Sequence, residues 1–466
     1  MLTETAYEET RLSLWRRVRE FAVPPSMIET ATARRAAGDW AGSCAAAGFD
    51  VDFRMPDVTR DYGGELTARL RADLRRLAPD LLRWHMPRIA PDGLLRPGLT
   101  MALARYGAAA RDGTSPLYLV ARTPPAWADA GQRIGLALWD PSSRTGTGRD
   151  PHPRPHPRFR FDLHRHLWAA DRSGELRSRG GSGPGGTPRA APRAAVPQGL
   201  VPAELLGAAH RWAEDAALLL HADGLPPGPV VVRLGARRRL VLRPEAGALP
   251  GTPAGSRIAV AGRRATGLPV LPEAAVRVPP DVELLRAGLV EAEQLHPLVA
   301  AALVPGHAST RRAVMADAAE RARLVECRGE LHRIGLVDGV LKPLDHDAAE
   351  IRREELLAAL EGPPLPCLRA VDEAYRSPHC LDDVRERLNH GDVDGALAVV
   401  RDLLGPEALP RHGPLRDTLL TAAERRIDHG LFRAGPADHA PKGDPSHVHG
   451  RGLSRSRFRP RGHSRR

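Results

Sequence analysis

Between residues 141 and 200 the sequence loses any regular apolar rhythm, and Arg, Pro, Gly, Ser and His take over. A segment of that composition supplies no continuous buried face, so it divides the chain into parts that must build their cores separately. The expected division has five pieces. Residues 1–140 form an N-terminal α+β unit and 141–200 a basic Pro/Gly/Arg-rich linker or insertion. Residues 201–275 hold a helix plus β-hairpins, 276–435 a mainly helical part, and 436–466 a disordered basic tail.

The positive charge follows the same division. Lys342 and Lys442 are the only lysines and Asn389 the only asparagine, while Ala, Gly, Pro and Arg abound, the mark of a GC-rich, bacterial-type coding sequence. High Arg content therefore does not by itself mean nucleic acid. Residues 144–193 carry 11 Arg against 4 acidic residues, and 441–466 carry 8 Lys and Arg against Asp444 alone. Removing these segments from the formal +12 leaves −2 on the remainder. A basic stripe on a folded face, the footprint of a sequence-reading nucleic-acid binder, is not indicated. Arg451, Arg455, Arg457, Arg459, Arg461, Arg465 and Arg466 suit nonspecific polyanion contact, or an inert solubilising extension; Phe458 alone offers a ring to stack on bases.

Periodicity places the elements. Leu12, Trp15, Val18 and Phe21 make a helical stripe that Pro24–Pro25 stop; Ser26 suits a cap, and Met27 offers an alternative start. Two short helices over 27–48 meet at Gly38–Asp39. The pattern Arg34-x-x-x-Gly38-Asp39-x-x-Gly42 recurs as Arg387-x-x-x-Gly391-Asp392-x-x-Gly395. In each, Gly can close one helix in a left-handed conformation and Asp can cap the next. The outline resembles the helical hairpins of tetratricopeptide-type repeats, but two distant copies are too few for a solenoid and are read as recurring turn chemistry. Leu66, Leu70, Leu74 and Leu77 form a stripe with Arg69, Arg71, Arg75 and Arg76 mostly off it. Leu99–Tyr106, Leu117–Arg122 and Arg133–Trp139 read as an antiparallel meander, and Phe159–Trp168 as a strand returning to a sheet. After a helix from Ala203 to His221, Val230–Leu234 and Leu240–Leu242 read as a hairpin, with a further strand near Ile258–Val260. Asp338–Gly339 is a second hairpin signal. Helices follow at Val384–Leu388, Ala396–Leu404 and Leu415–Ile427. The fold class is α+β: N-terminal helices plus short antiparallel strands, then a second, mostly helical part with β-hairpins.

Cys44, Cys327, Cys367 and Cys380 are too scattered for a disulfide framework. No apolar run reaches the roughly 20 residues that span a bilayer, and the N-terminus lacks the pattern of a signal peptide. The expectation is a reduced, cytosolic protein with no membrane partner.

Motifs for chemistry are scarce. Neither lysine sits in a phosphate-binding loop, and Gly181, Gly183 and Gly186 enclose Pro184 with no strand before them, so no cofactor-binding site is expected. Asp392 and Asp394 before Gly395 fail as a calcium loop, because Arg401 stands where the bidentate Glu belongs. His152, His156, His164 and His166, and His439, His447 and His449, lack ligand spacing, although His164 and His166 would share a strand face. Cys367, His379 and Cys380 read as a chance cluster, so no metal is expected. The strongest acid–base candidates are Asp345, His346 and Asp347, against the simpler reading that Asp347 caps a helix starting at Ala348. The resulting expectation is a non-catalytic interaction or accessory protein whose partner is another protein. Nucleic-acid association through basic arms, and an enzyme centred on Asp345, His346 and Asp347, are the alternatives.

Overall fold

The computed structural model describes residues 2–107, 109–110, 112–142, 154–179, 200–235, 238–244, 256–262, 265–304, 306, 323–327, 329–337, 340–343, 345–359, 365–376, 380–404 and 413–434. The tail arginines, His152, His379, the 181–186 glycines and the Asp338–Gly339 turn lie outside them.

The chain opens with helices α1 (Leu2–Phe21), α2 (Pro25–Ala36) and α3 (Trp40–Ala46), then β1 (Phe49–Val51), α4 (Met55–Arg76) and α5 (Pro79–His85). A two-stranded ribbon, β2 (Arg88–Ile89) and β3 (Leu94–Leu95), leads into β4 (Thr100–Tyr106), β5 (Leu117–Arg122) and β6 (Ile134–Trp139). The last three form the expected meander. Its order is β1-β6-β5-β4, because β1 adds a parallel edge, with Phe49 opposite Ile134. On α4, Leu66, Leu70 and Leu74 are buried while Arg69, Arg71, Arg75 and Arg76 face water, so this stripe is the helix's core contact. On α1, Val18 and Phe21 are buried and Arg19 pairs with Asp281, so a chain begun at Met27 would lack part of this core.

Two further segments close the same core, and both correct the expected division. Phe159, Phe161, Leu167, Trp168 and Leu176 share one buried cluster with Leu70 and Met101, so 154–179 is no linker. It makes single bridges, Arg160 to Ala102 and Ala169 to Leu77, and otherwise runs as turns and short 3-10 helices (Arg165–Leu167, Ala170–Glu175) into α6 (Leu176–Arg179) rather than as the expected strand. Its arginines are held. Arg158 pairs with Glu273 at 2.6 Å, Arg160 with Asp162 at 2.8 Å and Asp223 at 3.0 Å, Arg179 with Asp215 at 2.9 Å, and Arg165 with Asp73. In this part of the basic stretch, charge is structural and locally compensated rather than carried on a mobile arm.

The second segment is 273–303, with α9 (Glu273–Val276), α10 (Pro280–Arg286) and α11 (Pro297–Leu303), numbered after the elements below. Leu284, Leu295, Val299 and Ala300 belong to the N-terminal core, so 276–303 separates from the helical part it was grouped with.

Between these segments, α7 (Ala203–Ala209) and α8 (Trp212–Ala222) cover a sheet of β7 (Val230–Arg233), β8 (Arg239–Pro244) and β9 (Ser256–Val260) around Trp212. After them β10 (Arg323–Cys327), β11 (Glu330–Val337) and β12 (Val340–Pro343) form an antiparallel sheet. Val337 opposes Val340, the register of a two-residue hairpin. The chain ends its described part in α12 (Ala348–Ala359), α13 (Pro366–Arg376), α14 (Leu381–His390), α15 (Val393–Leu404) and α16 (Pro414–Ala434). Helix α16 returns to the first sheet, where Arg433 and His429 reach Asp50 at 2.8 and 3.3 Å. The architecture is α+β, and no helix among the described residues is long and apolar enough to cross a membrane.

Candidate functional site

Every residue of α5 is buried, Asp80, Arg83 and His85 included. A helix with no face toward water must satisfy its ionisable groups internally. Asp80 lies 3.0 Å from His296 Nε2 and 3.4 Å from Arg35; burial pushes the carboxyl up, but these partners hold it below its ordinary range. His296 accepts from the Leu298 N–H at Nδ1, so its proton sits on Nε2, toward Asp80. Arg83 donates to three backbone carbonyls, Ala22 at 2.9 Å, Gln132 at 2.6 Å and His390 at 2.7 Å. Burial, then Arg133, lowers its pKa to about 10. Asp281 accepts from Arg19 Nε at 2.8 Å and Trp84 Nε1 at 3.1 Å. Burial raises that carboxyl, yet Arg19 and His85 outweigh it and bring it to about 2.

His85, 3.7 Å from Asp281, links this ionic lattice to the lining of a cavity of about 340 Å³. Helix α1 supplies Leu14 and Trp15, the 154–179 segment Phe159, Phe161 and Leu167, and the α9–α10 connection Val278 and Pro279. Against these apolar walls stand Arg11, Arg88, Arg96, Arg179 and Arg277, with Glu273 as the one acidic side chain lining it among the described residues. Most of the guanidiniums are already engaged: Arg11 with Glu283 at 2.6 Å, Arg179 with Asp215, and Arg277 with Glu273 at 3.5 Å. Arg88 differs. It donates to the Arg83 carbonyl at 2.6 Å and the Gly93 carbonyl at 3.3 Å, and no carboxylate pairs with it among the described residues. Burial, with Arg83 and Arg19 close by, pushes its pKa well below the usual guanidinium value.

Four side chains lining the cavity carry a buried nitrogen with no hydrogen-bond partner among the described residues: Arg11 Nε, His85 Nε2, Arg88 Nε and His166 Nδ1. Both His85 Nδ1 contacts, at 3.1 Å, are carbonyl oxygens (Leu81 and Leu167), so Nδ1 carries a proton; Nε2 lies 3.7 Å from Asp281. His166 stands edge-on to His164, their ring centres 5.7 Å apart. Burial, then Arg179, pushes both imidazoles well below their ordinary pKa, so they are neutral. The neutral His166 imidazole and under-bonded guanidiniums around an apolar cavity suit a ligand rich in acceptors and negative charge.

The residues singled out from sequence lie elsewhere. Asp345 and Asp347 are exposed, and Asp347 accepts from the Ala349 N–H at 3.5 Å at the start of α12, as a cap does. His346 turns Nδ1 to Glu350 at 3.4 Å. Asp347 and His346 thus each have a local partner at the start of α12. Cys380 precedes α14 and packs with its helices, whereas Cys367 lies near Cys327. Burial raises the Cys44 thiol to about 12 and, with Cys327, the Cys367 thiol to about 11, so neither is an activated nucleophile. Arg88 was missed by sequence reasoning. The available signal was the run Asp80–Arg88, where ionisable residues interrupt apolar ones with no helical or strand period to send them outward.

Compared with known proteins, the chain matches no family model, no curated protein and no solved structure.

Proposed function

We propose that this protein acts by binding rather than catalysis, and that its N-terminal body takes a small molecule with an apolar body and an anionic head. The observation that carries the reading is Arg88, a guanidinium without a carboxylate partner among the described residues, its Nε buried and unbonded, on the wall of a largely apolar cavity. A half-buried guanidinium with no counter-charge among the described residues and an unbonded Nε is costly, and a bound carboxylate or phosphate would relieve that cost. The apolar walls would hold the remainder of the ligand. A protein of this kind serves as a carrier, sensor or accessory subunit, in line with the non-catalytic role expected from sequence.

The test is calorimetry and thermal melting of the full chain with decanoate, decyl phosphate, decanol and decylamine. The two anions should bind and raise the melting temperature, and decylamine should not. Arg88→Met keeps an aliphatic stem but removes the charge, and should weaken anion binding by about tenfold or more. Equal binding of decanol and decanoate, or unchanged affinity in Arg88→Met, would overturn the reading.

A further inference from the structure

The sheet β10–β12 and helix α13 enclose a second cluster, remote in sequence from the cavity. Cys327 ends β10, His346 follows β12, and Cys367 lies in the first turn of α13. Both cysteines are 0 % exposed and pack with Leu365 in a small apolar group. One candidate ligand atom from each of Cys327, His346 and Cys367 lies within 4.8 Å of the other two. A tetrahedral zinc ion, with bonds of about 2.3 Å to sulfur and about 2.0 Å to nitrogen, needs its ligands somewhat closer than that, a closure that side-chain rotation supplies.

The imidazole is the more telling member. The His346 side chain is 4 % exposed, so its nitrogens cannot be satisfied by bulk water. Nδ1 faces Glu350 Oε2 at 3.4 Å, whereas Nε2 is buried with no hydrogen-bond partner among the described residues. A metal-bound histidine commonly shows this division of labour, with one nitrogen on the ion and the other donating to a carboxylate that fixes the tautomer. His332 stacks on the ring at a centroid distance of 4.2 Å and an interplanar angle of 7°, which holds its plane. Its own Nδ1 is likewise buried and unbonded.

We propose that Cys327, His346 and Cys367 bind a divalent ion of the zinc class, with water at the fourth position and Glu350 orienting His346. Two sulfurs and one imidazole select a borderline-soft ion over magnesium or calcium, which demand oxygen. The ion would join the β10–β12 sheet to α13, in a region whose apolar clusters around Ile334 and Cys327 are small. Small cores of this kind gain disproportionately from a metal staple.

The experiment loads the full chain with zinc or cobalt, removes excess by gel filtration and measures bound metal. One ion per chain is expected, and the cobalt form should show thiolate-to-metal charge transfer together with the visible bands of a tetrahedral ion. Cys327→Ser, Cys367→Ser and His346→Gln should each abolish stoichiometric retention, and Glu350→Gln should weaken it by about tenfold. Cys44→Ser, which removes a core thiol elsewhere, should leave it unchanged. Metal retained in the Cys327→Ser/Cys367→Ser double variant would assign it to histidines elsewhere in the chain and overturn the proposal. So would a cobalt spectrum without thiolate charge transfer in the unmodified protein, a readout that does not depend on any variant folding, or a Cys327–Cys367 disulfide in protein purified without reductant.

Discussion

Arg34–Gly42 and Arg387–Gly395 close and cap their helices with the same set of bonds, in opposite surroundings. Asp39 N–H donates to the Arg34 carbonyl at 3.0 Å and Asp392 N–H to Arg387 at 2.8 Å, closing both helices in the same way. Asp39 Oδ1 accepts from Gly42 N–H at 2.8 Å, and Asp392 Oδ1 from Gly395 N–H at 3.0 Å. In each, the arginine reaches back to the capping carboxylate, at 3.3 Å and 3.0 Å. The first turn is open to water, with Ala37 and Gly38 exposed. The second is docked, with the His390 carbonyl on Arg83 and Gly391 against Gly131. Identical local chemistry thus makes the turn, and the neighbours decide what each residue in it is worth.

The two left-handed glycines give the widest separation. Gly38 and Gly391 have φ of +77° and +86°, so alanine is strained at both. A Cβ on Gly38 would meet nothing within 4 Å, whereas one on Gly391 would overlap the Gly131 carbonyl oxygen and carbon. Gly38→Ala should cost about 1 kcal/mol, the left-handed penalty alone. Gly391→Ala should cost about 3 kcal/mol, because the docked turn must also separate from Gly131. Chemical denaturation of the two variants measures the difference; equal losses would mean that the second turn is not seated on Gly131.

The residue before each glycine sets the next contrast. Ala37 cannot titrate, while His390 is buried, stacked on Phe21 at 6.1 Å. Burial, with Arg88, Arg83 and Arg17 nearby, lowers its pKa to about 3, although Glu386 lies 3.9 Å away. The folded protein therefore keeps His390 neutral while the unfolded chain protonates it below about pH 6.5. Its contribution is complete above that pH and is lost as pH falls from 6.5 toward 3, at up to about 1.4 kcal/mol per pH unit. Stability measured between pH 7 and 5 should fall less steeply in His390→Gln than in the parent, by one proton's worth of slope. Parallel profiles would show that other groups carry the acid sensitivity.

These turns were legible in sequence because the bonds that shape them, unlike the docking of His390 on Arg83, span five residues or fewer. The same holds for the β4–β6 meander and the β11–β12 hairpin, whose short apolar runs and bounding turn residues are local, and for Asp347 at the head of α12. Strand β1 was not legible, since three residues acquire strand character only from pairing with Ile134–Leu136. Nor were the places of 154–179 and 273–303: Arg19 and Asp281 are 262 residues apart, and nothing near either names the other. The cavity is least legible of all. Its defining feature is a set of unbonded nitrogens on Arg11, His85, Arg88 and His166, and the lack of a partner is a property of assembled space. Cys327 and Cys367 show the same limit, because nothing in the sequence joins two scattered cysteines until a sheet and a helix bring them together.

The smallest effect separates the two capping carboxylates. Asp39 and Arg34 are 40 % and 60 % exposed, so their ion pair is screened, and Asp39→Ala should cost about 1 kcal/mol for the lost cap alone. Asp392 is 6 % exposed, and Arg387 also holds Asp383 at 3.0 Å, so removing Asp392 does not strand the guanidinium. Asp392→Ala should therefore cost about 2 kcal/mol, the cap plus one buried charged hydrogen bond. Asparagine separates these parts, since it keeps an oxygen for the Gly395 N–H and loses the charge facing Arg387. Asp392→Asn should recover about half of the alanine loss, whereas Asp39→Asn should be nearly silent. If both asparagine variants were silent, burial would add nothing to the second ion pair, and the two turns would differ only at their glycines and at His390.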